Sequence, residues 1–288
     1  MTQDTPHPQS SDSTPHPHGP SRRRVLLAGG AGLAVAGLAA SASAPSASAS
    51  TSASASDAAS AETTAPACYP LAPEAIEGPY FLDYDLFRRD LTEDRTGIPF
   101  TLRLTFIDVV TCEPLRGAAI DIWSCDALGV YSGYTEIGND TPPPAGGTHV
   151  PPTDDLTYLR GSQITDGHGE VEFRTIFPGW YIGRTVHVHV KVHVGGELTP
   201  DGYESGEVCH TGQLYFGEDA VLAGADVAPY NTNTLTRTTL DQDRFYGGGG
   251  AVDGLLDLSY RPNAIERGVR GSLVVGVDPS ATPATSAS

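Results

Sequence analysis

Three of the nine histidines in this 288-residue sequence fall within seven positions, in "RTVHVHVKVH" (Arg184–His193). Side chains alternate faces along a strand, so Val186, Val188, Val190, Val192 and Val194 share one face. His187, His189, Lys191 and His193 share the other. The valine face reads as a continuous core surface. The opposite face cannot be ordinary core, because buried imidazoles and an ammonium need polar partners. Either it is wet, or His187 and His189 converge on something, and the His-x-His spacing alone leaves both open. Tyr181 and Arg184 precede the pair, and Pro178-Gly179 predicts a bend that places Trp180 and Tyr181 at the strand mouth. Upstream, "DIWSCDALGVYSGYTE" (Asp121–Glu136) ends a strand at Trp123 and carries Tyr131 and Tyr134 into a loop. Phenolate and imidazole together form a hard, anionic ligand set, which suits trivalent iron better than zinc. No Asp or Glu stands beside the histidines to complete a facial triad, which counts against ferrous iron.

The elements that must position these residues are strands. "FTLRLTFIDVV" (Phe100–Val110), "AAIDIWSC" (Ala118–Cys125), "EVEFRTI" (Glu170–Ile176), "TVHVHVKVHV" (Thr185–Val194), "TGQLYF" (Thr211–Phe216) and "GSLVVGV" (Gly271–Val277) alternate or are rich in β-branched residues. Turn formers such as "TDGHG", "PPPAGG" and "YGGGG" separate them. No long stretch has an amphipathic helical period. The pattern predicts an all-β fold, a sandwich or barrel, formed as a single domain over residues 68–278 with a short tail at 279–288.

The N-terminal region is of another kind. "SRRRVLLAGGAGLAVAGLAASASA" sets a basic cluster before a short, Gly-rich apolar stretch and small residues. It reads as a twin-arginine signal peptide over 1–44, followed by a Ser/Ala-rich disordered linker over 45–67. The stretch is too weak to span a membrane, so secretion without a membrane anchor is expected. Residues 1–60 hold three arginines and three acids, so the net charge of −18 belongs to the remainder. That excludes nucleic acid and anionic membranes as partners held by bulk charge. Four cysteines in an exported chain predict two disulfides, in one of three connectivities. Cys68 adjoins the tail and Cys112 lies in the "TCEP" turn. Pairing these two leaves Cys125 with Cys209.

"EGPYF" (Glu77–Phe81), "DIWSCDALGVYSGY", "LRGSQITDGHGEVEFRTIFPGWYIGRTVHVHVKV" (Leu159–Val192) and "HTGQLYF" (His210–Phe216) resemble the intradiol ring-cleavage dioxygenases, above all their short, exported bacterial branch. The resemblance implies a β-sandwich carrying one Fe(III) that cleaves a catechol with O2 between its hydroxyl-bearing carbons, giving a muconate. It implies Tyr131, Tyr181, His187 and His189 as metal ligands, with Tyr181 the one that leaves when substrate binds. It implies Arg184 and Gln213 beside the substrate, and no organic cofactor. Tyr134 is the rival of Tyr131, being in the same loop. Trp123 and Trp180 read as packing residues, and His193 matches no ligand position. Only six positions separate Tyr181 from His187, fewer than in the intracellular catechol enzymes, so a more open site and bulkier catechols are expected. A family member without iron that only binds, or a zinc site on the His-x-His strand, are the alternatives.

Overall fold

The computed structural model describes residues 68–137, 144–200 and 202–283. The expected signal and linker lie outside these residues, as do the last five positions of the tail and part of the Pro/Gly loop after Tyr134. The chain order is β1 (Pro99–Asp108), β2 (Ala119–Trp123), β3 (Arg160–Ile164), β4 (Glu170–Ile176), β5 (His187–Val194), β6 (Glu197–Thr199), β7 (Gly202–Glu204) and β8 (Glu207–Tyr215). Helix α1 (Glu218–Ala225), β9 (Asp257–Tyr260) and β10 (Val269–Val277) follow. One sheet has the order β4-β1-β10-β9 and the other β3-β2-β5-β8, while β6 and β7 form a separate hairpin.

The two four-stranded sheets share one core, as expected for a sandwich. Leu102, Leu104 and Phe106 of β1 alternate inward with Phe173 of β4 and Val275 of β10. Ile120 and Ile122 of β2, Val188, Val190 and Val192 of β5 and Leu214 of β8 meet them from the second sheet. Each such side chain contributes about 1.5–3 kcal/mol when fully buried. The valine face of β5 is therefore core. β1 and β10 run parallel, Leu104 beside Leu273. A parallel pair cannot close through a hairpin, and the whole second sheet lies within the connection between them.

The opposite face of the second sheet is covered too. His187, His189 and Lys191 are all buried. Their cover is the segment before β1. Ala72 N–H donates to Gly276 O (2.8 Å) at the first sheet, and Ala75 N–H donates to Thr211 O (2.9 Å) on β8. Farther along, Leu91 N–H donates to Arg174 O (2.8 Å) on β4. Residues 69–91 thus form a strap from one sheet across the face of the other. β3 was not visible as a strand in the sequence, because "RGSQI" has no apolar alternation. It is buried between β2 and the strap, and a Cβ at Gly161 would lie 2.6 Å from Leu91 Cδ2, so only glycine lets the strap approach.

The cysteine expectation is half right. Cys68 and Cys112 form a disulfide that ties the start of the strap to the turn after β1. Cys125 and Cys209 are free buried thiols, and the expected bridge between them does not exist. The sheet order explains why. β5 lies between β2 and β8, with Trp123 opposite His189 and His189 opposite Gln213. Cys125 lies two residues beyond that row and Cys209 four residues short of it. At about 3.3 Å per residue the offset is roughly 20 Å, far beyond the ~7 Å reach of a disulfide. The Cys125 thiol faces Gly179 O (3.6 Å) instead. Non-reducing peptide mapping should recover one bridged peptide, Cys68 with Cys112, and two unmodified thiols. Removing that bridge with Cys112→Ser should lower unfolding stability by about 2–4 kcal/mol, read by denaturant titration.

Candidate metal centre

A row of side chains crosses the second sheet. Arg160 on β3 pairs with Trp123 on β2, Trp123 with His189 on β5, and His189 with Gln213 on β8. These residues share one face, the one turned to the strap. Two loops close over it: the turn carrying Tyr131, and the Pro178–Gly183 bend carrying Tyr181.

Four donor atoms meet there. His187 Nε2 and His189 Nε2 are 3.1 Å apart. Tyr131 Oη lies 3.1 Å from His189 Nε2, and Tyr181 Oη lies 3.3 Å from His187 Nε2. All four residues are buried. The four positions expected to hold a metal are therefore the four brought together. Among the described residues no group of three His, Cys, Asp or Glu gathers in this way, so any metal here must be held partly by phenols.

The imidazoles are held from behind. His187 Nδ1–H donates to Thr185 O (2.7 Å), which leaves Nε2 with its lone pair turned to the centre. The Trp123 indole stacks on the His189 ring at 4.7 Å with planes 5° apart. On the strap, Gly78 has φ +79°, and a Cβ there would sit 3.3 Å from His189 Cε1. A side chain at 78 would press on the ring and strain the turn.

Tyr134, the rival, is not among the four that meet: its hydroxyl donates to Val150 O (3.1 Å). Tyr134→Phe should leave metal content and turnover within about threefold of wild type. It should cost only about 0.5–1.5 kcal/mol of stability for the lost hydrogen bond, measured by thermal and denaturant unfolding. His193 is likewise apart, its ring 6.5 Å from that of Tyr203. The ammonium of Lys191 finds the partners its burial demands: it pairs with Glu77 of the strap and lies 3.4 Å from the centre of the Phe81 ring.

Arg184 and Gln213, expected beside the substrate, are bonded to each other. Arg184 Nη2–H donates to Gln213 Oε1, and Gln213 Nε2–H donates to Ile76 O (2.9 Å) of the strap. Two charged residues were missed in the sequence. Asp243 accepts from Arg184 Nε–H (2.9 Å), and its side chain is wholly buried. Arg160 is buried with its Nε and Nη2 bound to Ser132 Oγ, Ser132 O and Tyr80 O (each 2.8 Å). Neither belongs to the alternating histidine pattern. Asp243 precedes the "YGGGG" turn in a stretch without a pattern of its own, and Arg160 stands in a strand without periodicity.

Electrostatics decide what this cluster can hold. Burial pushes the Tyr181 phenol up to about 12, against the lowering effect of Arg184. Burial likewise raises Tyr131 well above the usual phenol range. Burial, aided by Arg184, brings His187 down to about 3, and burial holds His189 well below the usual imidazole range. At neutral pH the cluster alone is two protonated phenols and two neutral imidazoles. A cation of high charge suits this set, since it draws off the phenolic protons while accepting neutral imidazole nitrogen. The donor set and its burial fit a trivalent metal ion.

The family profile described as Dioxygenase matches residues 76–244, more than half of the chain. This span holds all four donors, Arg184, Gln213 and Asp243. The chain belongs to the intradiol ring-cleavage dioxygenase family. The solved intradiol ring-cleavage dioxygenase from Tetranychus urticae is 31% identical with a TM-score of 0.64, covering 75% of this chain and 98% of that one. A chlorocatechol 1,2-dioxygenase of Pseudomonas putida is 28% identical over 184 residues, 53% of this chain. That match spans 60% of the Pseudomonas protein, less than two thirds of its length. Intradiol dioxygenases normally use Fe(III).

Proposed function

We propose that this protein is an Fe(III) dioxygenase that opens catechol-type rings between the two hydroxyl-bearing carbons with O2, giving muconate-type products. The observation that carries this reading is the convergence of Tyr131 Oη, Tyr181 Oη, His187 Nε2 and His189 Nε2 in one buried cluster. Fe(III) held by these four would acidify the hydroxyls of a bound catechol and activate its ring toward O2.

The chain's own residues divide the remaining work. Tyr131 is wholly buried, whereas Tyr181 keeps 9% of its surface and sits on a turn whose next residue, Ile182, is 59% exposed. Tyr181 is thus the phenol able to swing from its place, and its oxygen takes a substrate hydroxyl proton. Tyr131 stays and keeps its negative charge in the site. Arg184, fixed by Asp243 and Gln213, offers positive charge where the ring becomes negative, already oriented before reaction. Trp123 and Tyr80 close the inner side against water.

Exposed Ile182 and Gly183 beside Tyr181 support an open mouth, and with it substituted catechols as substrates. Secretion by the twin-arginine route belongs to the same reading, and the Cys68–Cys112 bridge suits an oxidising compartment. The test is metal analysis and a visible spectrum of the purified protein, followed by product analysis with catechol and substituted catechols. One iron per chain, red-brown colour and muconate products are expected. Zinc in place of iron, or colourless protein inert toward every catechol, would overturn the reading.

A further inference from the structure

Asp243 contributes three hydrogen bonds from a carboxylate with no solvent contact. Its Oδ2 accepts from Arg184 Nε–H (2.9 Å) and from the backbone N–H of Thr185 (2.8 Å). Its Oδ1 accepts from the backbone N–H of Phe245 (2.8 Å). Phe245 in turn lays its ring 4.6 Å from the Arg184 guanidinium carbon. The carbonyl of Thr185 receives His187 Nδ1–H (2.7 Å). One carboxylate therefore reaches the centre along two routes. The first is the ion pair to Arg184, which touches the substrate's side of the site. The second is the backbone of Thr185, whose N–H is held by Asp243 and whose C=O, in the next peptide unit, orients an imidazole of the centre.

A buried carboxylate is costly unless its oxygens are paired, and here each oxygen is paired with groups of the site or of its own turn. Nothing in the sandwich core requires it: the residue lies in the segment between α1 and β9, and its partners outside that segment are Arg184 and Thr185. We infer that Asp243 is a positioning residue that sets the Arg184 guanidinium and the His187 imidazole together, so that metal retention and turnover depend on one side chain remote from both in sequence. This rests on the metal centre proposed above.

The two routes predict different signatures. In full-length, iron-loaded protein, Asp243→Ala breaks both. Iron should pass to a competing chelator about tenfold to a hundredfold more readily than from wild type, and kcat should fall about a hundredfold. Asp243→Asn keeps a carbonyl oxygen for the Thr185 N–H but loses the charge facing Arg184. It should hold iron within about threefold of wild type while kcat still falls about tenfold or more. In an Arg184→Ala background, Asp243→Ala should still loosen iron but should add little further loss of kcat, since the ion pair is already gone.

Chelator competition needs no turnover, so it stays readable even if the catechol reading is wrong. Wild-type protein that takes up no iron would sink the metal centre itself. Wild-type protein that holds iron, with Asp243→Ala holding it equally well, would overturn the inference alone. So would Asp243→Asn and Asp243→Ala losing iron to the same degree, since the carbonyl oxygen kept in the first would then count for nothing. Should Asp243→Ala not fold, Asp243→Asn decides: full activity with retained iron refutes the role, and retained iron with slowed turnover supports it.

Discussion

Tyr131→Phe and His189→Ala are each expected to abolish both the visible colour and ring cleavage. The reason is local. Tyr131 Oη and His189 Nε2 lie 3.1 Å apart in a buried cluster of four donors, so removing either atom leaves three. Phenylalanine keeps the ring that stacks on Tyr80 at 5.4 Å and removes only the donor oxygen, so the fold should survive. Losing a hydrogen-bond partner behind a ligand typically costs about 10–100-fold in metal affinity or activity, and losing the donor itself should cost more. Iron content below about a tenth of wild type, with activity down at least a thousandfold, is the expected result. A Tyr131→Phe protein that keeps its colour and full activity would remove Tyr131 from the centre, and Tyr134→Phe would then be the variant to pursue.

Arg184→Ala should give the opposite pairing: iron retained, turnover lost. The guanidinium touches no donor atom directly, being bound to Asp243 and Gln213. What it supplies is charge held in place, and removing one preorganised group of this kind typically costs about 10²–10³ in kcat. Arg184→Lys should recover little, because one ammonium cannot reproduce the fork that bonds Asp243 and Gln213 together. Measured by kcat and KM beside iron content, equal fractional losses of iron and activity in Arg184→Ala would show the residue to be part of the scaffold instead.

The legible parts of this protein were those with a local rule behind them. Alternation alone assigned the two faces of β5, and the valine face is core as expected. The strands at 100–110, 118–125, 170–176, 185–194, 211–216 and 271–277 all correspond to β1, β2, β4, β5, β8 and β10, with ends shifted by a few residues. What escaped was nonlocal. Tyr131 and Tyr134 sit three positions apart in the connection from β2 to β3, and what tells them apart is where each hydroxyl goes, that of Tyr131 to His189 Nε2 and that of Tyr134 to Val150 O. Cys125 and Cys209 looked like partners because each adjoins a site strand, but sheet order separates them. β3 hid because its outward residues, Arg160 and Ser162, face a polar site and not solvent or core. Asp243 hid because a lone acid in a turn is indistinguishable from a surface one until Arg184 is seen beside it.

The row Arg160–Trp123–His189–Gln213 is written across four strands, one residue from each. Its consequence belongs to the birth of the protein and not to its chemistry. If β5 slid by one residue against β2, Val188 or Val190 would take the place of His189 beside Trp123, and the imidazoles and Lys191 would be driven into the hydrocarbon interior. The misaligned chain would suffer twice, losing the pocket and burying polar groups without partners. The polar face therefore ties the register of its sheet to the gathering of the four donors, and a chain that closes in the right register already holds Tyr131, Tyr181, His187 and His189 together.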